Sequence, residues 1–272
     1  MFYVLGDIHG NFNDIYNFIQ YAKPSQDDVL ILLGDAGINY YLNTRDKIFK
    51  QKLQDTDITF FVVRGNHEQR PSILAKEHPD DWAIEERFGN SIYVEKAYPN
   101  ILYALDTPAK YSFNINQNSK QVNAWVIPGA YSVDKNYRLE RGWTWFPQEQ
   151  LSKEEMKQGV IDLKQQDDID IILSHTCPLS LIPTEMFLSC VNQSTVDNSM
   201  EKYLEAILAL LYASKKLPKL WAWGHYHALK IYPKIDELRP IMLFNNEVLC
   251  LDDYFVDFNI YDSIIDCNIQ GE

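Results

Sequence analysis

Short apolar runs that stop at a glycine or serine and pass directly into an acid, an asparagine or a histidine recur along this chain. They restrict its fold more than any other feature. Phe2 to Leu5 leads into Gly6-Asp7-Ile8-His9-Gly10, and Val29 to Leu33 into Gly34-Asp35. Ile58 to Val63 leads into Arg64-Gly65-Asn66-His67-Glu68, Ile169 to Leu173 into Ser174-His175, and Leu220 to Trp223 into Gly224-His225-Tyr226-His227. Continuous apolar runs of this length read as strands buried on both faces. Residues i and i+2 of an extended chain share a face, so Asp7 and His9 are directed to one place.

Helical patterns separate the first three runs. Asn11 or Asn13 is placed to cap a helix that carries Ile15, Phe18, Ile19 and Ala22 on one face and stops at Pro24. Thr44 is placed to cap the next, over 45–54, with Ile48, Phe49 and Leu53 inward. Strand and helix alternating in this way predict a parallel βαβ sheet, whose sites lie at the carboxyl ends of its strands. Residues 72–77 read as a short helix and 92–94 as a strand. Ile101 to Asp106, Tyr111 to Ile115 and Val122 to Ile127 read as antiparallel strands, joined by turn residues at Thr107-Pro108 and Asn116 to Ser119. Two packed sheets are therefore expected. Ser152-Lys-Glu-Glu155 is a capping box opening a helix to about 165, with Met156, Val160 and Leu163 inward. A long loop over 176–198, a helix over 199–214 and closing strands at 241–244, 248–251 and 255–260 complete the chain. No linker, repeat or low-complexity segment interrupts it, so residues 1–272 are expected to form a single domain.

Residues 129–147 combine Tyr131, Tyr137, Trp143 and Trp145 with Lys135, Arg138 and Arg141. Two readings stand side by side: a surface loop whose rings cover an edge of the core, and a lid over a phosphorylated substrate with Arg138 as the anion contact.

Composition bounds the partners. Lys and Arg number 25 against 38 Asp and Glu, a net charge of −13, which disfavours a long nucleic acid; bound cations can reverse the field inside an acidic site. Cys177, Cys190, Cys250 and Cys267 show no Cys-x-x-Cys spacing and read as reduced thiols of a cytoplasmic protein. Core-like sequence begins at residue 2, which argues against a signal peptide. Tyr203 to Ala213, the most apolar stretch, is too short to span a bilayer and reads as a buried helix.

Of the six histidines, five follow a strand end directly; His78 lies in a charged surface stretch and is set aside. Asp7, His9, Asp35, Asn66, His67, His175, His225 and His227 thus form one set of N and O donors suited to a two-metal site. The order Gly-Asp-Ile-His-Gly, Gly-Asp, Gly-Asn-His-Glu, Ser-His, Gly-His-Tyr-His spans residues 6 to 227. It resembles the calcineurin-like metallophosphoesterase superfamily, and most of all its small bacterial and phage members, where a stretch like Gly129-Ala-Tyr-Ser-Val-Asp-Lys135 also recurs.

The resemblance implies a four-layer αββα sandwich of two mixed sheets. It implies that Asp7, His9 and His227 hold one divalent ion, that Asn66, His175 and His225 hold another, and that Asp35 bridges them. Mn, Fe or Zn would suit the donor set. His67 would sit over the substrate phosphate and protonate the leaving oxygen, while a metal-bridging hydroxide attacks phosphorus. The expected activity is hydrolysis of a small phosphate mono- or diester, nucleotide-derived esters included, with no membrane partner. The alternatives are a phosphoprotein phosphatase, a dinucleoside polyphosphate hydrolase and, from another class, a non-catalytic binding scaffold of the same fold. The protein phosphatases of the superfamily carry Gly-Asp-x-x-Asp-Arg-Gly at the second block. Here Ile38 and Asn39 replace the orienting acid and the phosphate-binding arginine, so a different group must orient His67.

Overall fold

The computed structural model describes residues 1–115, 120–187 and 192–267. The turn expected over 116–119 and Cys190 lie outside them. In chain order the strands are β1 (Phe2–Leu5), β2 (Val29–Leu32), β3 (Thr59–Val62), β4 (Trp82–Arg87), β5 (Asn90–Glu95), β6 (Ile101–Tyr103) and β7 (Ala109–Ile115). They continue with β8 (Lys120–Ile127), β9 (Ile171–Ser174), β10 (Leu220–Trp223), β11 (Lys230–Ile231), β12 (Arg239–Met242), β13 (Glu247–Cys250) and β14 (Ile264–Asp266). The helices are α1 (Asn13–Ala22), α2 (Thr44–Gln54), α3 (Pro71–Glu77), α4 (Lys135–Glu140), α5 (Lys153–Lys164), α6 (Ser199–Ala213) and α7 (Leu251–Asp257).

Two mixed sheets result. One runs β14-β13-β1-β2-β3-β6-β5-β4 and the other β11-β12-β10-β9-β8-β7. β1, β2, β3 and β6 are mutually parallel, as are β8, β9, β10 and β12.

Each central strand is buried on both faces, and its alternation sorts its side chains between two interfaces. Val4, Ile31 and Phe61 of the first sheet meet Ala124, Leu173 and Ala222 of the second in the middle of the molecule. On the outer face of the first sheet, Tyr3, Leu5, Leu30 and Phe60 pack on Ile15 and Phe18 of α1 and Leu53 of α2. On the outer face of the second, Ile172, Trp221 and Trp223 pack on Leu204, Ile207 and Leu211 of α6. Three apolar interfaces make four layers, helix, sheet, sheet, helix. Each fully buried aliphatic or phenyl side chain contributes roughly 1.5–3 kcal/mol of transfer free energy.

The structure departs from the sequence reading in particular places. β6 pairs parallel to β3, because the chain crosses back through α3 and the β4–β5 hairpin before entering it. Residues 82–87 form a strand that the reading omits. Residues 255–260 do not form a strand: Leu251, Tyr254 and Phe255 are buried at helical spacing in α7, and Asp252 at its first turn accepts the Phe2 N–H at 2.7 Å. The cap of α2 is Asn43, whose side chain accepts the Arg45 N–H; Ile48 is exposed on that helix. Phe12 precedes α1 without a side-chain cap. The capping box at Ser152 and Glu155 forms as expected. Among the described residues no helix is long and apolar enough to cross a membrane.

Candidate active site

The five strand ends that carry the donors come from both sheets, β1, β2 and β3 from one and β9 and β10 from the other, and they converge. The turns that follow them are unusual. His9, Asp35, His225 and His227 all have positive φ (46°, 48°, 71° and 54°). Non-glycine residues adopt this left-handed region rarely and at a cost, and such residues concentrate at functional sites. The neighbouring glycines have a separate steric role. A Cβ on Gly65 would overlap the Asp35 carboxylate, and one on Gly224 would overlap the Asp7 carboxylate. The glycine at these strand ends is the space into which each carboxylate folds back. It then accepts a backbone N–H: His225 donates to Asp7 Oδ1 at 2.7 Å and His67 to Asp35 Oδ1 at 2.8 Å.

The second oxygen of each carboxylate faces imidazoles. Asp7 Oδ2 lies 3.4 Å from His227 Nε2 and 3.7 Å from His9 Nε2, and those two nitrogens approach each other to 2.9 Å. Asp35 Oδ2 lies 3.7 Å from His175 Nε2, 3.9 Å from His67 Nε2 and 4.0 Å from His9 Nε2. Three groups of donor atoms fall within 4.8 Å of one another: Asp7, His9 and His227; Asp7, Asp35 and His175; and His9, Asp35 and His67. His225 is outside these tight groups. Its ring packs against His175, centroids 5.0 Å apart, and lines the same cavity.

Hydrogen bonding fixes which atoms are lone-pair donors. His175 Nδ1 lies 2.7 Å from the Leu33 carbonyl, which can only accept, so this nitrogen carries the proton. Asn66 Nδ2 donates to Ser132 Oγ at 2.9 Å, which turns Asn66 Oδ1 toward His175 Nε2 at 2.8 Å. Two acceptor atoms therefore face each other at hydrogen-bond distance beside a buried carboxylate, an arrangement that requires a cation, whether a proton on Nε2 or a metal ion. Asp7 Oδ2, buried and accepting no hydrogen bond, makes the same demand. The donor set and its unmet acceptors fit divalent metal ions.

The charges in the site are set by burial and by these neighbours. Burial alone would raise Asp35, but His67, His175 and His9 hold it well below the usual carboxylate range. Asp7 is likewise lowered, with His175 and His227 outweighing its burial. Burial pushes His225 down to about 3 and lowers His67, so both rings are neutral near pH 7. The Asp7 carboxylate beside it raises His227. Glu68, buried under the turn where it accepts the Gly37 and Gly65 N–H groups, is pushed up to about 7 by desolvation and by Asp35.

Arg138 is placed differently from the anion contact expected of it. Its side chain is fully buried and does not line the cavity; it donates to Ser132 Oγ and the Thr144 carbonyl and pairs with Asp134 at 3.7 Å. The short helix α4 turns the guanidinium inward, where its charge is matched by groups behind Asn66. Segment 129–147 is therefore divided. Tyr131, Val133 and Asp134 line the cavity, Tyr137 and Trp143 are exposed, and Ser132, Arg138 and Trp145 meet the buried Glu149 or its hydroxyl partner. The sequence reading missed Ser132 and Glu149. Their only trace is a small polar residue inside the aromatic stretch and an acid just beyond it.

A cavity of about 440 Å³ opens over this cluster, bordered by His9, Asp35, Asn66, His67, His225 and His227 on one side. His67 is half-buried there, its ring 5.9 Å from that of Tyr40, which in turn lies under the Arg138 guanidinium. Ile38 and Asn39 are buried.

Comparison with known proteins bears on this arrangement. Over 104 residues, 38% of this chain, it is 30% identical to the Arcobacter nitrofigilis protein named "Probable glycerophosphodiester phosphodiesterase GpdQ", and it spans 37% of that relative's length. Among solved structures it is similar to TT1561 of Thermus thermophilus (13% identity, TM-score 0.47, 91% and 92% of the two chains). It is also similar to the phosphopantetheinyl hydrolase PptH of Mycobacterium tuberculosis (13% identity, TM-score 0.48, 97% and 94%). The family model for calcineurin-like phosphoesterases matches residues 1–229, and on that match the chain belongs to the calcineurin-like phosphoesterase family.

Proposed function

We propose that this protein is a metal-dependent phosphoesterase that hydrolyses a phosphate mono- or diester in the cavity over the strand ends. The observation that carries the reading is the convergence of Asp7, Asp35, Asn66 and five histidines from two sheets, six of these eight residues bordering one cavity and Asp7 and His175 buried behind it, with acceptor atoms left facing one another. Asp7, His9 and His227 would hold one divalent ion, Asn66, His175 and His225 a second, and Asp35 would lie between them. Bound there, divalent ions supply Lewis-acid charge for the phosphate oxygens and a nucleophile derived from water at neutral pH.

The chain's own residues do the rest. Leu33 holds the His175 tautomer through Nδ1, and Ser132 holds the Asn66 amide. The orienting contacts behind a ligand are worth about 10- to 100-fold in metal affinity or activity. His67, kept neutral by burial before substrate binds, has one ring N–H to offer; on this reading that N–H binds a non-bridging phosphate oxygen, and only the imidazolium, favoured by the charge of a bound phosphate, gives a proton to the leaving oxygen and returns to the neutral ring.

The test is hydrolysis of p-nitrophenyl phosphate and bis(p-nitrophenyl) phosphate by chelator-stripped protein resupplied with Mn, Zn, Mg or Fe. Turnover should return with metal and be lost in Asp35→Asn, and His67→Ala should lower kcat by about 10²–10⁴-fold. The ester preferred separates mono- from diesterase. Metal uptake without turnover of either ester would argue for a binding scaffold, and absence of metal uptake would overturn the reading.

A further inference from the structure

Beside the candidate metal ligands the cavity is lined by a group of apolar and aromatic side chains, with Gln193, Asn198 and three acids among them. The apolar and aromatic ones are Tyr131, Val133, Ile182, Met186, Phe187, Val196 and Tyr226. Among the described lining residues there is no lysine or arginine; the charged ones beyond the histidines and Asp35 are Asp134, Asp197 and Glu201. Tyr226 joins this wall directly to the cluster, because it stands between His225 and His227 in the chain. Its ring packs on His225 (centroids 4.9 Å) and stacks with Phe187 (6.5 Å, 23°), while its hydroxyl lies 3.2 Å from Thr176 Oγ1. Met186 and Val133 remain 42% and 53% exposed at the rim, apolar surface with water to lose.

We infer that this wall receives the organic group of the substrate, and that the substrate is a phosphoester whose organic group has an apolar or aromatic body and carries no second anionic group. The inference rests on the phosphoesterase reading and narrows it. A second phosphate, as in a dinucleoside polyphosphate, would meet carboxylates and no cation outside the metal cluster, so its desolvation would go uncompensated. An aryl or alkyl group instead removes its own surface and that of Phe187 and Met186 from water.

Calorimetric binding of inorganic phosphate, methylphosphonate, phenylphosphonate and pyrophosphate to the Mn-supplied chain tests this without turnover. Burial of a phenyl group should make phenylphosphonate bind about tenfold to a hundredfold more tightly than methylphosphonate. Pyrophosphate should bind no more tightly than phosphate. The phenyl preference should shrink toward parity in Phe187→Ala and in Met186→Ala, two variants chosen so that one misfolded protein does not decide the matter. Equal affinity for the two phosphonates, a preference that survives both substitutions, or tighter binding of pyrophosphate would overturn the inference while leaving the phosphoesterase reading in place. Failure of phosphate itself to bind the Mn-supplied chain would overturn both.

Discussion

At the scale of single residues, the site depends on groups that bind nothing themselves. Ser132 Oγ accepts from Asn66 and Arg138 and donates to Glu149. Ser132→Ala frees the Asn66 amide to present either its oxygen or its nitrogen to His175. Metal affinity measured by calorimetry should fall about 10- to 100-fold, while Asp7, His9 and His227 still bind an ion. Gly224 yields the space that the Asp7 carboxylate fills. Gly224→Ala should therefore abolish metal uptake at that carboxylate. Gly142→Ala, with φ +66° but open space around it, should cost only about 1 kcal/mol of backbone strain in a denaturant titration and leave metal uptake unchanged. Equal metal loss in both glycine variants would refute the steric account. The histidines and acids were legible because each follows an apolar run. Ser132 and Glu149 were not, because a hydroxyl and an acid near an aromatic stretch carry no period, and only the tertiary contacts of Ser132 with Asn66 and of Glu149 with Ser132 give them a role.

At the scale of elements, local signals were reliable where they were complete. Ser152 and Glu155 cap each other at the start of α5, and Glu155 also accepts hydrogen bonds from Nη1 and Nη2 of Arg70, at 2.6 and 3.2 Å, just beyond the His67 turn. Ser152→Ala should cost about 1 kcal/mol in chemical denaturation. Glu155→Ala should cost more, since it removes the cap partner and leaves the largely buried Arg70 guanidinium with backbone carbonyls alone. Equal losses would mean that the Arg70 pair contributes nothing. The end of the chain was misread for a physical reason. In Leu251-Asp-Asp-Tyr-Phe-Val-Asp257 the apolar residues satisfy helical spacing, and two acids in the first turn favour a helix N-terminus, yet the run Phe255 to Ile260 also resembles a closing strand. Packing on β1 chose the helix.

At the scale of the whole molecule, the fold holds His225 and Glu68 at an electrostatic cost, their charged forms disfavoured by burial. His225 binds its proton near 6.5 when unfolded but only near 3 when folded, so between those values the unfolded chain holds more protons and stability falls as pH falls. Glu68 acts oppositely: raised from 4.5 to about 7, it destabilises the fold as pH rises through that window. In the chelator-stripped chain the two oppose each other between about pH 6.5 and 4.5. Glu68→Gln should accordingly steepen the loss of stability on acidification, read as urea midpoints at about pH 7 and about pH 4.5. An unchanged or shallower slope would refute this. Added metal should raise the midpoint at neutral pH by mass action and do so much less in Asp35→Asn.

The sequence by itself determined the buried strands, their alternation with helices and the identity of the donors at their ends, because periodicity and glycine punctuation are local properties of the chain. It also restricted the chemistry, since five histidines and two aspartates at strand ends suit few uses other than metal binding. Only the tertiary structure decided which donor atoms lie within reach of one another, that β6 runs parallel to β3, and that Arg138 supports Asn66 through Ser132 rather than facing the cavity. The same holds for the apolar wall beside the cluster. These depend on which elements pack together, and residues as far apart as Asn66, Ser132 and His175 are brought to one place by burial of both sheet faces, not by any pattern readable along the chain.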